Sequence, residues 1–407
     1  KKRISEIIRA PAFNPKYRGS RLVISLSALF IHYLLTVRMF RPLNTIESYL
    51  CKKKRLTFTC SDIVLGRFNL EITLSNFWKE IEKPLISLAP MEEVTDTVFR
   101  EIVLTQTIPG NLHVVYTEFA NTDGLCHPIG REKVIHRLQV SDSEKKLLKE
   151  KNVKLVAQIW GSKPEKYAET CKMICDEMDY DGIDINMGCP VPKIVKQGSC
   201  SKLITNPTLA SEIIQACQEN SNIPVSVKTR IGFKEVVTEE WIGHLLEHDL
   251  PAILIHGRTQ AMMSEGLADW DEIAKGGILR DAKGKDTVII GNGDIKSIEE
   301  SHEKCEKYGI EGIMIGRGIF HNPWLFSPGR EEPSQEEKLQ ILWDHASLFH
   351  KTWGDTKNFR QLRRFFKIYA SNFKDAGVLR GALMESRDLD HVREIFNQWG
   401  FTPVDKY

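Results

Sequence analysis

Residues that can donate protons, bind anions or hold a flat ring recur where short apolar runs of this 407-residue chain end. Each run is rich in Val, Ile and Leu and stops at a polar, charged or turn-forming residue. These run-end residues are Pro90, Met91, Glu118, Asn121, Gln158, Asn186, Cys189, Lys228, Arg230, His256, Arg258, Asn292, Asp294, Gly316 and Arg317. Any one of them has a structural explanation, but their repetition at eight run ends predicts one shared site.

Cys189 has the most varied chemistry in this set. It lies in the stretch DINMGCPVPKIVKQGSC (184–200), directly after an apolar run. A thiol there can donate a proton to a substrate carbon, act as a nucleophile if a base makes it a thiolate, or be an inert buried side chain. The residues alone leave these three roles open.

Glycines follow the last two runs, in IIGNGDI (289–295) and MIGRGIF (314–320). Backbone N–H groups at glycines can approach a phosphate closely, and Arg317 adds a cationic fork. Lys228 and Gln158 lie deeper along their runs, where an ammonium stabilises negative charge on a reduced flavin and an amide hydrogen-bonds its pyrimidine edge. This combination predicts FMN as the ligand.

Eight apolar runs must bring these residues together. They cover 85–89, 113–119, 153–160, 182–188, 224–230, 252–258, 287–293 and 311–317. Helical periodicity separates them, for example over 164–178, 206–220 and 296–308. Eight such units predict an α/β fold, the parallel (β/α)8 TIM barrel, over 84–327, with all strand ends around one site. A doubly wound open sheet is the alternative, but the fingerprint GxGxxG does not follow the first run.

The segment 1–83 precedes the barrel as a basic extension. Residues 1–60 carry 13 Lys and Arg against 2 Asp and Glu, whereas the remaining residues carry 43 against 52. An apolar stretch over 22–37 is shorter than the about 20 residues that span a bilayer, so a membrane anchor is not expected. Nine cysteines without CxxC spacing favour a reducing compartment, the cytoplasm, and argue against bound metal. We expect a monomer and assign no role to this segment.

The alternation stops after NPWLF (322–326), and helical periodicity alone continues over 334–400. This predicts a small all-helical bundle. Its stretch KNFRQLRRFFK (357–367) contains five cations and no acid. One continuous helix there shows Lys357, Arg360, Arg364 and Lys367 on one face, with Arg363 as the fifth cation, and buries Phe359, Leu362, Phe366 and Tyr369 on the other. Such a face is either merely solvated or binds nucleic-acid phosphates.

Six segments together resemble the tRNA-dihydrouridine synthases. They are LAPMEEVTDTVFR, INMGCPVPKIVKQGS, VSVKTRIGF, IHGRTQAMMSEGLADW, IIGNGDI and MIGRGIFHNPWLF, and the likeness runs in order from Leu85 to Trp399. Enzymes of this family use FMN, reduced by NADPH, to reduce the 5,6 double bond of particular uridines in tRNA. The resemblance therefore implies that hydride is transferred to carbon 6 of uracil and that Cys189 protonates carbon 5.

The resemblance also implies binding roles. FMN is expected against Pro90, Met91, Glu92, Gln158, Lys228, His256, Asn292, Gly293, Asp294, Gly316 and Arg317. The uracil is expected against Asn186, Arg230 and Arg258, and tRNA against Lys357, Arg360, Arg363, Arg364 and Lys367. Two positions depart from the family pattern: Glu93 stands where a glycine is usual, and Cys200 where a glycine or another small residue is usual.

Two other functions stay open. An FMN-dependent barrel oxidoreductase acting on a free small molecule, of the dihydroorotate or enoate reductase type, needs the same cavity but not the basic helical segment. An RNA-binding homologue that has lost catalysis needs neither Cys189 nor Lys228. The chain contains the basic helical segment as well as Cys189 and Lys228, and this combination favours the tRNA-modifying oxidoreductase.

Overall fold

The computed structural model describes residues 54–56, 72–74 and 76–407. The chain divides into two compact units, Lys1–Ser75 and Asn76–Tyr407. The described part of the first unit is an antiparallel pair of short strands, Lys54–Leu56 and Ile72–Leu74. The apolar stretch predicted over 22–37 lies outside the described residues.

Within residues 76–407, eight parallel strands form a closed barrel. They are β1 (Leu85–Leu88), β2 (Val114–Tyr116), β3 (Lys154–Trp160), β4 (Gly182–Met187), β5 (Val225–Arg230), β6 (Ala252–His256), β7 (Val288–Asn292) and β8 (Gly312–Ile315). Consecutive strands pair along the chain, and β8 pairs with β1 to close the ring. A two-residue strand, Ala120–Asn121, adds to β3. The predicted TIM barrel is confirmed, and each of its eight parallel strands lies inside its predicted run.

Helices surround the barrel. The longer ones are α1 (Thr97–Gln106), α2 (Asp142–Glu150), α3 (Pro164–Glu177), α4 (Pro207–Glu219), α5 (Thr238–Leu245), α6 (Trp270–Ala282) and α7 (Ile298–Tyr308). Short helices and 3-10 turns cover Phe77–Glu80, Thr122–Leu125, Pro128–Val134, Ile135–Leu138, Pro192–Val195, Cys200–Thr205, Leu246–His248 and Arg317–Phe320. Helix α4 begins as its sequence predicts, because the Asn206 side chain accepts the backbone N–H of Leu209 and Pro207 occupies the first turn.

The barrel interior changes from apolar to polar along its axis. Near the amino ends of the strands, Trp78 and Leu85 belong to a buried apolar cluster inside the ring. Side chains alternate along a strand, so on β4 Ile185 packs outward whereas Asp184 and Asn186 face inward. The inward polar residues therefore collect towards the carboxyl ends of the strands.

Four helices follow the barrel: α8 (Gln335–Trp353), α9 (Arg363–Tyr369), α10 (Ala376–Met384) and α11 (Leu389–Gln398). Helix α8 begins with a capping box formed by Ser334 and Glu337. This helical segment belongs to the same compact unit as the barrel, and the ring centroids of Phe365 and Phe99 on α1 are 5.1 Å apart. The predicted helical segment is confirmed and packs directly on the barrel.

The prediction of one helix over 357–367 is wrong. Lys357 is extended, a 3-10 turn covers Phe359–Leu362, and α9 begins only at Arg363. The Asn358 side chain accepts the backbone N–H of Arg360 at 3.0 Å and so caps the turn. Because of this break, Lys357 does not lie on the same face as Arg360, Arg364 and Lys367, as it would in one continuous helix.

In the ranges that the structure describes, no helix combines the length and the hydropathy needed to cross a bilayer. These ranges also lack a cluster of three or more His, Cys, Asp and Glu side chains placed to hold a metal ion. Their cysteines are free thiols, at positions 126, 171, 175, 189, 200, 217 and 305.

Candidate active site

A cavity of about 780 Å³ opens at the carboxyl ends of the barrel strands. This volume suits a cofactor-sized ligand. The cavity lining contains Pro90, Met91, Gln158, Asn186, Cys189, Lys228, Arg230, His256, Arg258, Asn292, Gly293, Asp294, Gly316 and Arg317. The structure thus brings together all the residues predicted for catalysis, cofactor or uracil except Glu92. Glu118 and Asn121, which the second run was also predicted to contribute to the shared site, do not line this cavity.

Two acidic side chains of the loop after β1 form ion pairs and do not line this cavity. Glu92 forms an ion pair with Arg137 and is not a lining residue. Glu93 has a φ of 55°, a conformation that glycine adopts most easily, and its carboxylate pairs with Arg364 at 2.5 Å. Its backbone N–H donates to Glu118 at 2.7 Å. The charge of Glu93 is therefore neutralised by the helical segment rather than facing the ligand.

Cys189 is buried at the cavity wall, on a turn held by Asn186. The Asn186 Oδ1 atom accepts the backbone N–H groups of Gly188 at 3.1 Å and Cys189 at 2.9 Å. A hydrogen bond from the Cys200 thiol is the main reason that the pKa of Cys189 falls from 9.0 to about 7, although burial opposes the change. A backbone N–H and the Arg230 guanidinium lower the pKa further. Cys189 is therefore a mixture of thiol and thiolate near neutral pH.

Lys228 places a buried ammonium in the cavity wall. Its Nζ donates to Asn292 Oδ1 at 3.2 Å, and Asn292 Nδ2 donates to the carbonyl of Met314 at 2.7 Å. Burial, assisted by Arg230, lowers the pKa of Lys228 to about 8, while the Asp184 carboxylate opposes this change. Lys228 is thus mostly charged at neutral pH but close to its titration range.

His256, Arg258 and Asp294 form a connected group beside Lys228. Arg258 Nη2 donates to both Asp294 carboxylate oxygens, at 2.6 and 2.7 Å, and its Nη1 lies 3.2 Å from His256 Nε2. Burial and the surrounding cations hold the pKa of His256 well below 6.5, so its ring is neutral and accepts from Arg258. Arg258 is only 2% exposed, so protein contacts fix its orientation.

Arg230 ties the Cys189 turn to the loop after β6. Its Nε donates to the carbonyl of Gly188 at 2.6 Å, and its Nη1 donates to those of Thr259 at 3.0 Å and Met263 at 2.9 Å. Burial lowers the pKa of Arg230 to about 10, which leaves it a cation at neutral pH. The guanidinium therefore both stabilises the loops and favours the Cys189 thiolate.

The ends of β7 and β8 form a cationic rim suited to a phosphate. Gly293 has a φ of 142°, and a Cβ there would lie 2.4 Å from a neighbouring β-carbon, so the position requires glycine. A Cβ on Gly318 would lie 2.2 Å from a backbone oxygen. Arg317, Lys296 and His321 line the same end of the cavity. Backbone N–H groups and cations are the donors that a phosphate prefers.

Lys357 lies against the barrel rather than on an exposed face. Its side chain is 9% exposed, and its Nζ is 3.1 Å from Asp96 and 3.3 Å from Glu118. The ammonium also lies 3.9 Å from the centre of the Trp353 ring, whose Nε1 donates to Asp96 at 2.8 Å. Two carboxylates in the barrel surface require a counterion, and the extended backbone at Lys357 supplies one.

The other four cations predicted to bind tRNA remain at the surface of the helical segment. Arg360 and Lys367 are exposed, and Arg363 and Arg364 are partly exposed. A second cavity of about 460 Å³ is lined by Arg363, Arg364, Lys367 and also Arg380 from α10. Sequence reasoning missed Arg380 because it is an isolated cation in an otherwise apolar helix.

Asp184 and Ser226 shape the site and were not anticipated. Asp184 and Ser226 are buried inside the barrel beneath the cavity. The alternation of side chains along the strands was the available signal, because it places Asp184 on the same face as Asn186 and Ser226 on the same face as Lys228. Cys200 stood out in the sequence only as a departure from the family pattern, and its effect on the Cys189 thiol was not predicted.

Comparison with known proteins identifies the family of this chain. The family model described as Dihydrouridine synthase (Dus) matches residues 87–399. A probable tRNA-dihydrouridine synthase of Staphylococcus aureus (strain COL) is 42% identical over 326 residues, which cover 80% of this chain and 95% of that protein. One from Staphylococcus epidermidis is 43% identical over 79% of this chain and 95% of its own length. Probable tRNA-dihydrouridine synthase 2 of Bacillus subtilis (strain 168) is 40% identical over 80% and 96%. The chain belongs to the dihydrouridine synthase family.

Proposed function

We propose that this protein reduces the 5,6 double bond of specific uridines in tRNA to dihydrouridine, with FMN as cofactor and NADPH as reductant. The observation that carries this proposal is the meeting of Cys189 and Lys228 in one cavity. Support comes from the identity of 40 to 43% to probable tRNA-dihydrouridine synthases over nearly their whole length.

The residues of the cavity fit FMN. Gly293, Gly316 and Arg317 would hold its phosphate, and Gln158 and Lys228 would meet the pyrimidine edge of its ring. Pro90, Met91, His256, Asn292 and Asp294 would complete the contacts, whereas Glu92 is not included because it pairs with Arg137. When bound and reduced, FMN supplies the hydride that carbon 6 of uracil receives.

Cys189 would supply the proton. Saturation of the 5,6 bond requires one hydride and one proton, so the Cys189 S–H bond breaks as a C–H bond forms at carbon 5. The thiolate left behind is stabilised by the Cys200 thiol and the Arg230 guanidinium and then takes a proton from water. A pKa of about 7 suits an acid that works near neutral pH.

Uracil and tRNA would be held by different parts of the unit. Asn186, Arg230 and Arg258 would contact the base, which must leave its stack at a cost of a few kcal/mol. The surface formed by Arg360, Arg363, Arg364, Lys367 and Arg380 would bind tRNA phosphates and offset that cost. Lys357 would instead dock the helical segment on the barrel.

Flavin content and dihydrouridine formation test the catalytic proposal. Purified protein should show a flavin absorption band and release FMN on denaturation. Cys189→Ala should keep FMN but lose most dihydrouridine formation, measured by mass spectrometry of nucleosides from tRNA. Cys217→Ala, which removes a buried thiol outside the cavity, should behave like the parent. Full activity of Cys189→Ala would contradict the acid role.

The same preparation separates the two alternatives. A yellow protein that turns over dihydroorotate or an enoate without tRNA would favour a small-molecule oxidoreductase. A colourless protein that still binds tRNA would favour a homologue without catalysis.

Charge reversal tests the tRNA surface. Arg360→Glu combined with Lys367→Glu should weaken tRNA binding and reduce the slope of log affinity against log salt by about two. FMN content should not change. The matched control is Lys145→Glu with Lys146→Glu on α2, two exposed lysines of the barrel. Equal loss of affinity in both double variants would refute a localised surface.

A further inference from the structure

Asp184 is a fully buried carboxylate that the proposed chemistry does not use. It lies on β4 inside the barrel, beneath the cavity. Its Oδ1 accepts the Ser226 hydroxyl and its Oδ2 accepts the Gln158 Nε2 amide, both at 2.7 Å. Burying a carboxylate in a barrel interior is costly unless its partners satisfy it, so this position demands an explanation.

The hydrogen bonds continue from Asp184 to the turn that carries Cys189. Gln158 Oε1 accepts Asn186 Nδ2 at 2.9 Å. Asn186 Oδ1 then accepts the backbone N–H groups of Cys189 and Gly188, at 2.9 and 3.1 Å. Two amide side chains in series therefore connect a buried carboxylate to the residue that would donate the proton.

Both ends of this chain impose the same direction on the two amides. An ionised carboxylate only accepts hydrogen bonds, so the amide nitrogen of Gln158 must face Asp184. Backbone N–H groups only donate, so the amide oxygen of Asn186 must face Cys189. The amides then meet as Asn186 nitrogen to Gln158 oxygen, which is the observed contact.

We propose that Asp184 is a positioning residue for the reaction: its carboxylate orients the Gln158 and Asn186 amides and, through them, holds the turn that carries Cys189. This inference rests on the proposed function of the cavity. Without the acceptor at Asp184, the Gln158 amide is free to turn over, and a turned amide presents nitrogen to the Asn186 nitrogen. The contact that holds the Cys189 turn is then lost.

Two substitutions of Asp184 separate orientation from charge. Asp184→Asn can still accept from Gln158 with its amide oxygen and donate to Ser226 with its nitrogen, so the direction of the chain is kept. Asp184→Ala removes the acceptor. Ser87→Ala is the matched control. Ser87 is an equally buried hydroxyl on β1 that donates to the carbonyl of Ile313 and takes no part in the hydrogen bonds that link Asp184, Gln158 and Asn186.

The decisive readout is the pH midpoint of Cys189 alkylation in flavin-free protein. Asp184→Ala should move this midpoint upward by about one pH unit, since a loosened turn weakens the hydrogen bonds that favour the thiolate. Asp184→Asn and Ser87→Ala should keep the parental midpoint. In the FMN-loaded protein, Asp184→Ala should lower kcat for dihydrouridine formation about ten-fold or more without changing KM for tRNA.

Several results would overturn the proposal. One is a folded Asp184→Ala protein with the parental midpoint; another is an Asp184→Asn protein as impaired as Asp184→Ala, which would assign the effect to charge. If Asp184→Ala does not fold, Gln158→Met breaks the chain at its next link, and an unchanged midpoint there also refutes the idea. Since alkylation needs neither tRNA nor FMN, failure of the proposed function leaves this test intact.

Discussion

Replacing Cys200 by alanine should raise the pKa of the Cys189 thiol. The Cys200 thiol is the largest cause of the fall in that pKa from 9.0 to about 7, because it donates a hydrogen bond that favours the thiolate. Burial of Cys189 remains in the variant and favours the neutral thiol, whereas Arg230 still favours the thiolate. A hydrogen bond to a charged group is worth about 1.5 kcal/mol at the weak end, or about one pKa unit.

The rate of alkylation at one pH would conceal this change. A rise of about one unit lowers the thiolate fraction at pH 7 from about one half to about one tenth. A thiolate of higher pKa is more nucleophilic, by about three-fold per unit. The two effects partly cancel, so the alkylation rate at pH 7 falls only about two-fold, whereas the midpoint of rate against pH reports the whole shift.

The assay is iodoacetamide alkylation of flavin-free protein over the titration range of the thiol, following the peptide that contains Cys189 by mass spectrometry. Cys200→Ala should show a midpoint about one unit higher than the parent. Cys217→Ala, which removes a buried thiol near Cys171 instead, should titrate like the parent. An unchanged or lower midpoint in folded Cys200→Ala protein would refute the reasoning.

The same variant distinguishes two roles of Cys189. An acid must be protonated, so dihydrouridine formation should fall as pH rises through the thiol pKa, and Cys200→Ala should move that fall to higher pH. A nucleophile must be ionised, so activity would rise through the pKa instead. A pH profile of tRNA reduction by both proteins decides between the roles.

Two further predictions concern positions outside the thiol pair. Lys357→Met leaves the Asp96 and Glu118 carboxylates without their ammonium and should destabilise the protein by about 3 kcal/mol. Burial already raises the pKa of Glu118, so lowering the pH protonates this carboxylate and removes its unpaired charge. The loss in melting temperature should therefore be smaller at pH 5 than at pH 8. Equal melting temperatures of variant and parent at pH 8 would contradict this. Gly293→Ala should abolish FMN retention because its Cβ cannot fit. The control Gly377→Ala, where a Cβ fits, should retain FMN. Normal flavin content in Gly293→Ala would count against the assignment of Gly293 to the phosphate of FMN.

Local sequence patterns were sufficient for the barrel and most of the cavity lining. Strands buried on both sides need continuous apolar runs, and these runs are visible without any tertiary information. Parallel strands in a closed ring end on the same face, so residues as distant as Met91 and Arg317 could be placed in one site before the fold was known. The same logic identified Lys228 and His256.

Local patterns did not predict the ion pairs that two charged side chains form with groups on other elements. The cation pattern of 357–367 assumed one helix in water, but carboxylates of the barrel draw Lys357 inward. Glu92, which the family resemblance placed against FMN, forms an ion pair with Arg137 and does not line the cavity. Such ion pairs depend on groups that are remote in sequence.

The amino-acid sequence by itself determined which residues stand at the ends of the strands, because periodicity and burial act over a few residues. Only the tertiary structure decided that Cys200 meets Cys189 and that Asp184, on β4, reaches the Gln158 amide on β3. Hydrogen bonds act over about 3 Å, so the Asp184–Gln158 bond requires β3 and β4 to pair in the register that sets these two residues opposite each other.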